Sequence, residues 1–202
     1  MNDLKEKFEK IKQEVFILFP PDSNKKEIAY TRRNWIFPNH FNPMIELVED
    51  MCKRYKSDEM ICKISAILHD AGLVYGRTSA DPKGHEERSI EYAKMIFKKY
   101  EVPKSIHWEI IGCIKATEAY AEPKKLNEKI VRTADALSQF ISVHFFAKAA
   151  FSGDWNSYSV WLEKKARNNF NKICFDKERE RAKPVRDYIL SAIELYRRHN
   201  PI

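Results

Sequence analysis

Residues 61–72 read ICKISAILHDAG, and this stretch decides the fold. Its apolar side chains recur at the three- and four-residue intervals that place them on one face of a helix. The helix is expected to stop near Gly72, because glycine commonly follows the last turn of a helix. His69 and Asp70 follow the apolar run directly, so both polar side chains leave a buried stretch together.

The same spacing of apolar residues continues along nearly the whole chain, and no segment shows the pattern of a strand. It predicts a first helix over residues 2–19 and further helices over about 155–199. Asn42, which a proline follows, is predicted to cap one helix, and Ser57 is predicted to cap the next. We therefore expect residues 1–202 to form a single all-α domain of about eight helices.

The composition excludes several classes of protein. The chain has 202 residues, a net charge of +7 and only five glycines, which argues against glycine-rich nucleotide cradles and hairpin-rich β folds. Its four cysteines form no C-x-x-C pair, which indicates reduced, packed thiols. The charged first residues do not resemble a secretory signal, and the longest nearly apolar stretch, 140–151, is too short to span a bilayer. We expect a cytoplasmic protein that does not enter the membrane.

A third polar residue interrupts a later apolar helix. Asp135 lies in the sequence RTADAL, where an unpaired buried carboxylate would be costly. A metal ion would offset that cost. Together with His40, His69 and Asp70, this aspartate makes a set of two imidazoles and two carboxylates. Such a set suits one divalent transition metal, Mn²⁺, Fe²⁺, Co²⁺, Ni²⁺ or Zn²⁺, better than Ca²⁺ or Mg²⁺.

This order of residues, a His, then His-Asp, then Asp on an all-helical chain, resembles the HD-domain metal-dependent phosphohydrolases. The surrounding sequences resemble the family as well, and the similar segments are YTRRNW at 30–35, GHEERSIEYA at 84–93 and KIVRTADAL at 129–137. The resemblance covers about residues 30–140, the predicted metal-binding core. It implies a metal held by His40, His69, Asp70 and Asp135, and hydrolysis of a phosphate ester or anhydride.

The resemblance also implies roles for other residues. Asp70 would orient the attacking water as well as bind the metal, and His85 and Glu86 would act in acid-base catalysis or hold the ligands in place. Glu86 is equally well explained as a charge that complements the start of a helix. Three basic residues are candidate phosphate contacts, although each alone is also typical of a solvated surface: Arg33, Arg77 and Lys115.

The chain departs from the family pattern at one point that matters for the metal count. Family members with two metals carry a further histidine, which is expected here at Thr117, with Glu118 as a possible substitute. We therefore favour one metal ion and regard a second as doubtful.

Two hypotheses for function follow. The first is a hydrolase of a nucleotide or another small phosphorylated molecule. The alternative is a non-catalytic module of the same fold that binds a nucleotide or RNA. Residues 161–186 hold nine Lys and Arg against four Asp and Glu, a net +5 that could contact nucleic acid. A solvated helix face that covers the core or forms a homodimer surface is the explanation we favour.

Overall fold

The computed structural model of the protein describes residues 2–21, 31–76, 84–149 and 154–200. These residues contain ten α-helices and no strand, which confirms the predicted all-α fold. Eight of the described helices have ten residues or more. The helices are α1 (Asn2–Leu18), α2 (Arg33–Ile36), α3 (Asn42–Tyr55), α4 (Glu59–Leu68), α5 (His85–Lys99), α6 (Lys104–Ala116), α7 (Leu126–Ile141), α8 (His144–Ala149), α9 (Trp155–Lys172) and α10 (Asp176–His199).

Helix α4 lies at the centre of the fold, with eight of its ten residues buried. It packs against α1, α3, α6 and α7, because its apolar residues cover almost its whole circumference. Asp58 caps the helix by accepting a hydrogen bond from the backbone N–H of Ile61 at 3.0 Å. The prediction of Ser57 as the cap is therefore wrong by one residue, and the Ser57 hydroxyl instead donates to the side chain of Asn127.

A π-helical turn, Phe37–Phe41, connects α2 to α3. Asn42 therefore lies inside a continuous helix, and its prediction as an N-terminal cap is wrong. Pro43 has no N–H to offer the carbonyl of Asn39, which accepts instead from the Ser142 hydroxyl at 2.7 Å. Such wide turns are frequent at functional sites, and this one carries His40.

Gly72 allows the segment after α4 to touch the start of α5. Its N–H donates to the Ser89 hydroxyl at 2.8 Å, and its carbonyl accepts from the Arg88 side chain at 2.9 Å. A Cβ at this position would lie 2.0 Å from the carbonyl oxygen of His85, so only glycine fits. This close approach places the first residues of α5 beside His69 and Asp70.

The long helix α7 completes the frame, with twelve buried residues that include Asp135. The π-helical turn, α4 and α9 all pack against it. The end of α4, the π-helical turn, α7 and α9 therefore enclose one region of the protein. No helix in the described segments is both long enough and apolar enough to cross a membrane.

Candidate metal centre

The four residues predicted as metal ligands converge in this region. The Nε2 atoms of His40 and His69 lie 3.2 Å apart. Oδ2 of Asp70 lies 3.3 Å from the first and 3.4 Å from the second. Oδ1 of Asp135 lies 3.7 Å from both. His40, His69 and Asp135 are at most 5% exposed, so this cluster is shielded from bulk water.

Neighbouring groups determine which nitrogen of each histidine faces the cluster. The Ser138 hydroxyl donates to the carbonyl of Asp135 at 2.8 Å, so its oxygen accepts from Nδ1 of His40 at 2.9 Å. Nδ1 of His69 donates to the carbonyl of Ala66 at 2.8 Å. A neutral imidazole carries one proton. When both rings are neutral, both Nε2 atoms therefore present lone pairs to each other and to the carboxylates.

This arrangement requires positive charge at its centre. Burial favours the neutral form of His69, but the charge of Asp70 and the hydrogen bond and charge of Asp135 raise its pKa to about 9. Burial likewise opposes ionisation of Asp135, yet Lys172 and His69 hold the pKa of this carboxyl well below its usual range. The pKa of Asp70 is lowered mainly by His69, His40 and His85, against the effect of burial. A proton on His69 or a bound cation can supply the charge.

The ligand atoms of His40, His69 and Asp135 all lie within 4.8 Å of one another, so these residues could hold a metal ion, and Asp70 lies beside them. Imidazole and carboxylate ligands suit divalent transition metals, and a histidine ligand commonly donates its other ring N–H to a carboxylate, a backbone carbonyl or water. Ser138 and the Ala66 carbonyl already serve that purpose for His40 and His69. Each ring is therefore held in the orientation that a metal ligand needs.

His85 and Glu86, at the start of α5, border the cluster. Nε2 of His85 lies 3.4 Å from Oδ1 of Asp70, and its Nδ1 lies 3.1 Å from Oε2 of Glu86. Both side chains are half-buried and line the same cavity as the predicted ligands. Glu86 contacts His85 and His85 contacts Asp70, so this series of side chains leads from the cavity to the centre of the cluster.

Two lysines of α9 complete the site. Lys172 is 7% exposed, and its Nζ donates to the carbonyl of Thr117 at 2.5 Å and pairs with Oδ2 of Asp135 at 3.3 Å. Lys165 lines the cavity, which has a volume of about 280 Å³. Burial, followed by the charge of Lys172, lowers the pKa of Lys165. Within the described ranges, no hydrogen bond or ion pair engages the Lys165 ammonium.

Sequence reasoning assigned neither lysine to the site, because it interpreted the basic stretch 161–186 as a solvated helix face or a nucleic-acid contact. The signal for Lys172 was present in the helical spacing of α9. Its buried stripe runs through Leu162 and Ala166 to Asn169 and Lys172, so two polar residues interrupt an apolar face. Asn169 donates to Gln139, which donates to Asp135 at 3.3 Å, so this stripe also supports the cluster.

The predicted phosphate contacts lie elsewhere. Arg33 donates to the carbonyls at the end of α1, those of Phe16 at 2.6 Å, Ile17 at 2.9 Å and Phe19 at 3.1 Å. Lys115 is exposed and lines a separate depression with Glu118. Neither is part of the cavity lining. Arg77 lies outside the described residues.

Comparison with known proteins agrees with this geometry. The family model of the HD domain matches residues 39–139, half of the chain, a range that contains all four predicted ligands. The crystal structure of Bacillus subtilis YpgQ is similar, with 18% sequence identity, a TM-score of 0.65, and coverage of 100% of this chain and 98% of that chain. The structure of YpgQ in complex with ADP has a TM-score of 0.63 at the same identity and coverage. These likenesses show a shared fold. The comparison with curated proteins finds no match.

Proposed function

The chain belongs to the HD domain family, a superfamily of metal-dependent phosphohydrolases, and on this premise we propose that it hydrolyses a phosphate ester or anhydride. The substrate is a nucleotide or another small phosphorylated molecule. One observation carries the proposal. Beside a cavity, the Nε2 atoms of His40 and His69 face each other and also face the carboxylates of Asp70 and Asp135.

One divalent transition metal, Mn²⁺, Fe²⁺, Co²⁺, Ni²⁺ or Zn²⁺, would be held by His40, His69, Asp70 and Asp135. When bound, such an ion supplies Lewis acidity and lowers the pKa of water at the site. The position of Lys172 supports a single ion, because its ammonium lies against Asp135 and the Thr117 carbonyl, where a second cation would be repelled.

The chain's own residues supply proton transfer. Glu86 accepts from Nδ1 of His85, which leaves Nε2 of the same ring to take a proton from the attacking water. Oδ1 of Asp70 lies 3.4 Å from that Nε2, so its negative charge stabilises the ring once the proton has been taken up. The proton is then available for the leaving group. His85 is therefore the proposed general base, and Glu86 holds its tautomer.

Lys165 replaces Arg33 and Lys115 as the proposed phosphate contact. Its ammonium lines the cavity beside the ligands and would neutralise negative charge on the phosphoryl oxygens. This role makes the C-terminal helices and the family core parts of one functional unit. A nucleotide substrate is supported by the ADP bound to YpgQ, a protein with the same fold.

The test measures phosphate release from a panel of nucleotides and other phosphoesters with Mn²⁺, Co²⁺ or Ni²⁺. His69→Ala and Asp70→Ala should each lower the rate by more than about 100-fold, because each removes a ligand. His199→Ala, at the end of α10, is the matched control and should leave the rate unchanged. Equal activity of the ligand variants and the wild type would contradict the proposal. Tight nucleotide binding without product would instead favour the binding-module hypothesis.

A further inference from the structure

The cavity has an aromatic side as well as a charged side. Trp35, His144 and Trp161 line it together with the predicted metal ligands. The rings form a continuous series that begins at the cluster, because His144 lies 6.0 Å from His40 and 5.2 Å from Trp35, measured between ring centroids. His144 also lies 5.8 Å from Phe145, which contacts Trp161 at 6.4 Å. The hydrolytic chemistry proposed above uses none of these aromatic side chains.

The register of α9 orders the groups that line the cavity. Lys172 marks the position of Asp135, since the two side chains are paired. At 1.5 Å per residue, Lys165 lies about 10 Å and Trp161 about 16 Å from Lys172 along the helix axis. Trp161 and Lys165 are four residues apart and therefore share one face of the helix. A ligand along this face would meet the metal cluster, then an ammonium, then an indole ring.

We propose that Trp161 and Trp35 bind the base of a nucleotide whose phosphate lies at Lys165 and the metal cluster. This inference rests on the proposed function and narrows its substrate to nucleotides. A base is flat and stacks on an indole whatever its identity, whereas a sugar phosphate offers no such face. Both tryptophans line the same cavity as Lys165 and the predicted ligand His40, so the base and the reacting phosphate of one molecule would occupy that cavity.

The experiment compares a ligand that has a base with a ligand that lacks one. The two are the phosphorothioate analogues of AMP and of ribose 5-phosphate, in which sulfur slows turnover. Their dissociation constants are measured by calorimetry on the metal-loaded full chain. We expect the AMP analogue to bind about tenfold more tightly, and Trp161→Leu to abolish that ratio without changing affinity for the ribose analogue. Trp161→Phe keeps a ring and should retain most of the preference. Trp108→Leu, 81% exposed on α6, is the control.

A ratio near one in the wild type, or a ratio that Trp161→Leu leaves intact, would overturn the base site. Circular dichroism shows whether each variant is folded, and the Trp161→Phe result gives a second test in a less disruptive variant. Failure of the proposed function looks different, because it is absence of phosphate release from every substrate. Equal hydrolysis of AMP and ribose 5-phosphate would remove the base site and leave the hydrolase intact.

Discussion

A divalent metal should raise the melting temperature of the protein, and the rise should increase with pH. The reason is the cluster of His40, His69, Asp70 and Asp135, in which lone pairs and carboxylates face one another over 3.2–3.7 Å. Without a metal, a proton on His69 can supply the positive charge that this cluster needs, because the pKa of His69 is raised to about 9. With a metal, Nε2 of His69 must be unprotonated, because its lone pair binds the ion.

The size of the effect follows from binding linkage. Metal at 100 times its Kd stabilises the folded state by about 2.7 kcal/mol. For a chain of this size, each kcal/mol shifts Tm by about 2–4 °C, so the expected rise is about 5–11 °C.

The pH dependence has a definite sign. The folded-state pKa of His69 lies above its unfolded value of about 6.5, so the stability it contributes is complete below pH 6.5. In the metal-free protein this contribution is lost as pH rises through about 9. The metal-loaded protein has no proton on His69 to lose. The difference in Tm between the two forms should therefore widen from pH 6.5 to pH 9.

The assay is thermal denaturation of chelator-treated protein, with and without Ni²⁺, at several values of pH across that window. His69→Ala should remove both the metal-dependent rise and its growth with pH, whereas the control His199→Ala should retain both. Two results would refute the reasoning: a rise in His69→Ala as large as in the wild type, or a wild-type rise that shrinks as pH increases.

Three further outcomes test the supports of the site. Ser138→Ala removes the acceptor for Nδ1 of His40 and should weaken metal binding about 10–100-fold by calorimetry; unchanged affinity would contradict that role. Gly72→Ala places a Cβ 2.0 Å from the His85 carbonyl and should lower the free energy of unfolding in urea by about 1–3 kcal/mol, whereas a neutral effect would show that α5 can move away freely. The Asp154 side chain caps α9 by accepting hydrogen bonds from two backbone N–H groups at 2.8 and 3.1 Å. Asp154→Ala removes this cap and should lower the free energy of unfolding by about 1 kcal/mol, which corresponds to a fall in Tm of about 2–4 °C. Asp154→Asn can still cap the helix and should keep most of that stability.

Three of the four proposed metal ligands could be picked out because they have a local sign in the sequence. His69 and Asp70 end an apolar helix, and Asp135 interrupts one, so both positions show a polar group where burial is expected. The helical periodicity likewise predicted the eight long helices. Their caps were harder to predict. Asp58 and Ser57 can both accept a hydrogen bond from a helix N-terminus, and the choice depended on Asn127, a contact 70 residues away.

The proposed phosphate contact, Lys165, could not be found in this way. A single lysine or arginine on a polar surface has no periodic pattern that indicates its partner. Arg33 serves the end of α1, because it lies beside three carbonyls there, where backbone oxygens lack partners within the helix. Lys165 reaches the cavity only because α9 packs on α7, an arrangement that depends on the tertiary structure.

The charges around the cluster explain why Lys165 and Lys172 matter more for phosphate binding than the protein's net charge of +7. Asp70 and Asp135 carry two negative charges, and Lys172 cancels one of them by pairing with Oδ2 of Asp135. A divalent ion would turn the remaining single negative charge into a single positive one. Lys165 adds another, while Glu86 is balanced when its partner His85 takes up a proton. After His85 takes the proton of the attacking water, the loaded site would carry about two positive charges, which matches a phosphate dianion; before that step it would carry about one. In the proposed function Lys172 therefore acts on the metal site and Lys165 on the substrate, although the two lysines lie seven residues apart on one helix. Neutralising Lys165 should weaken phosphate binding without loss of metal, whereas neutralising Lys172 should disturb the metal site itself.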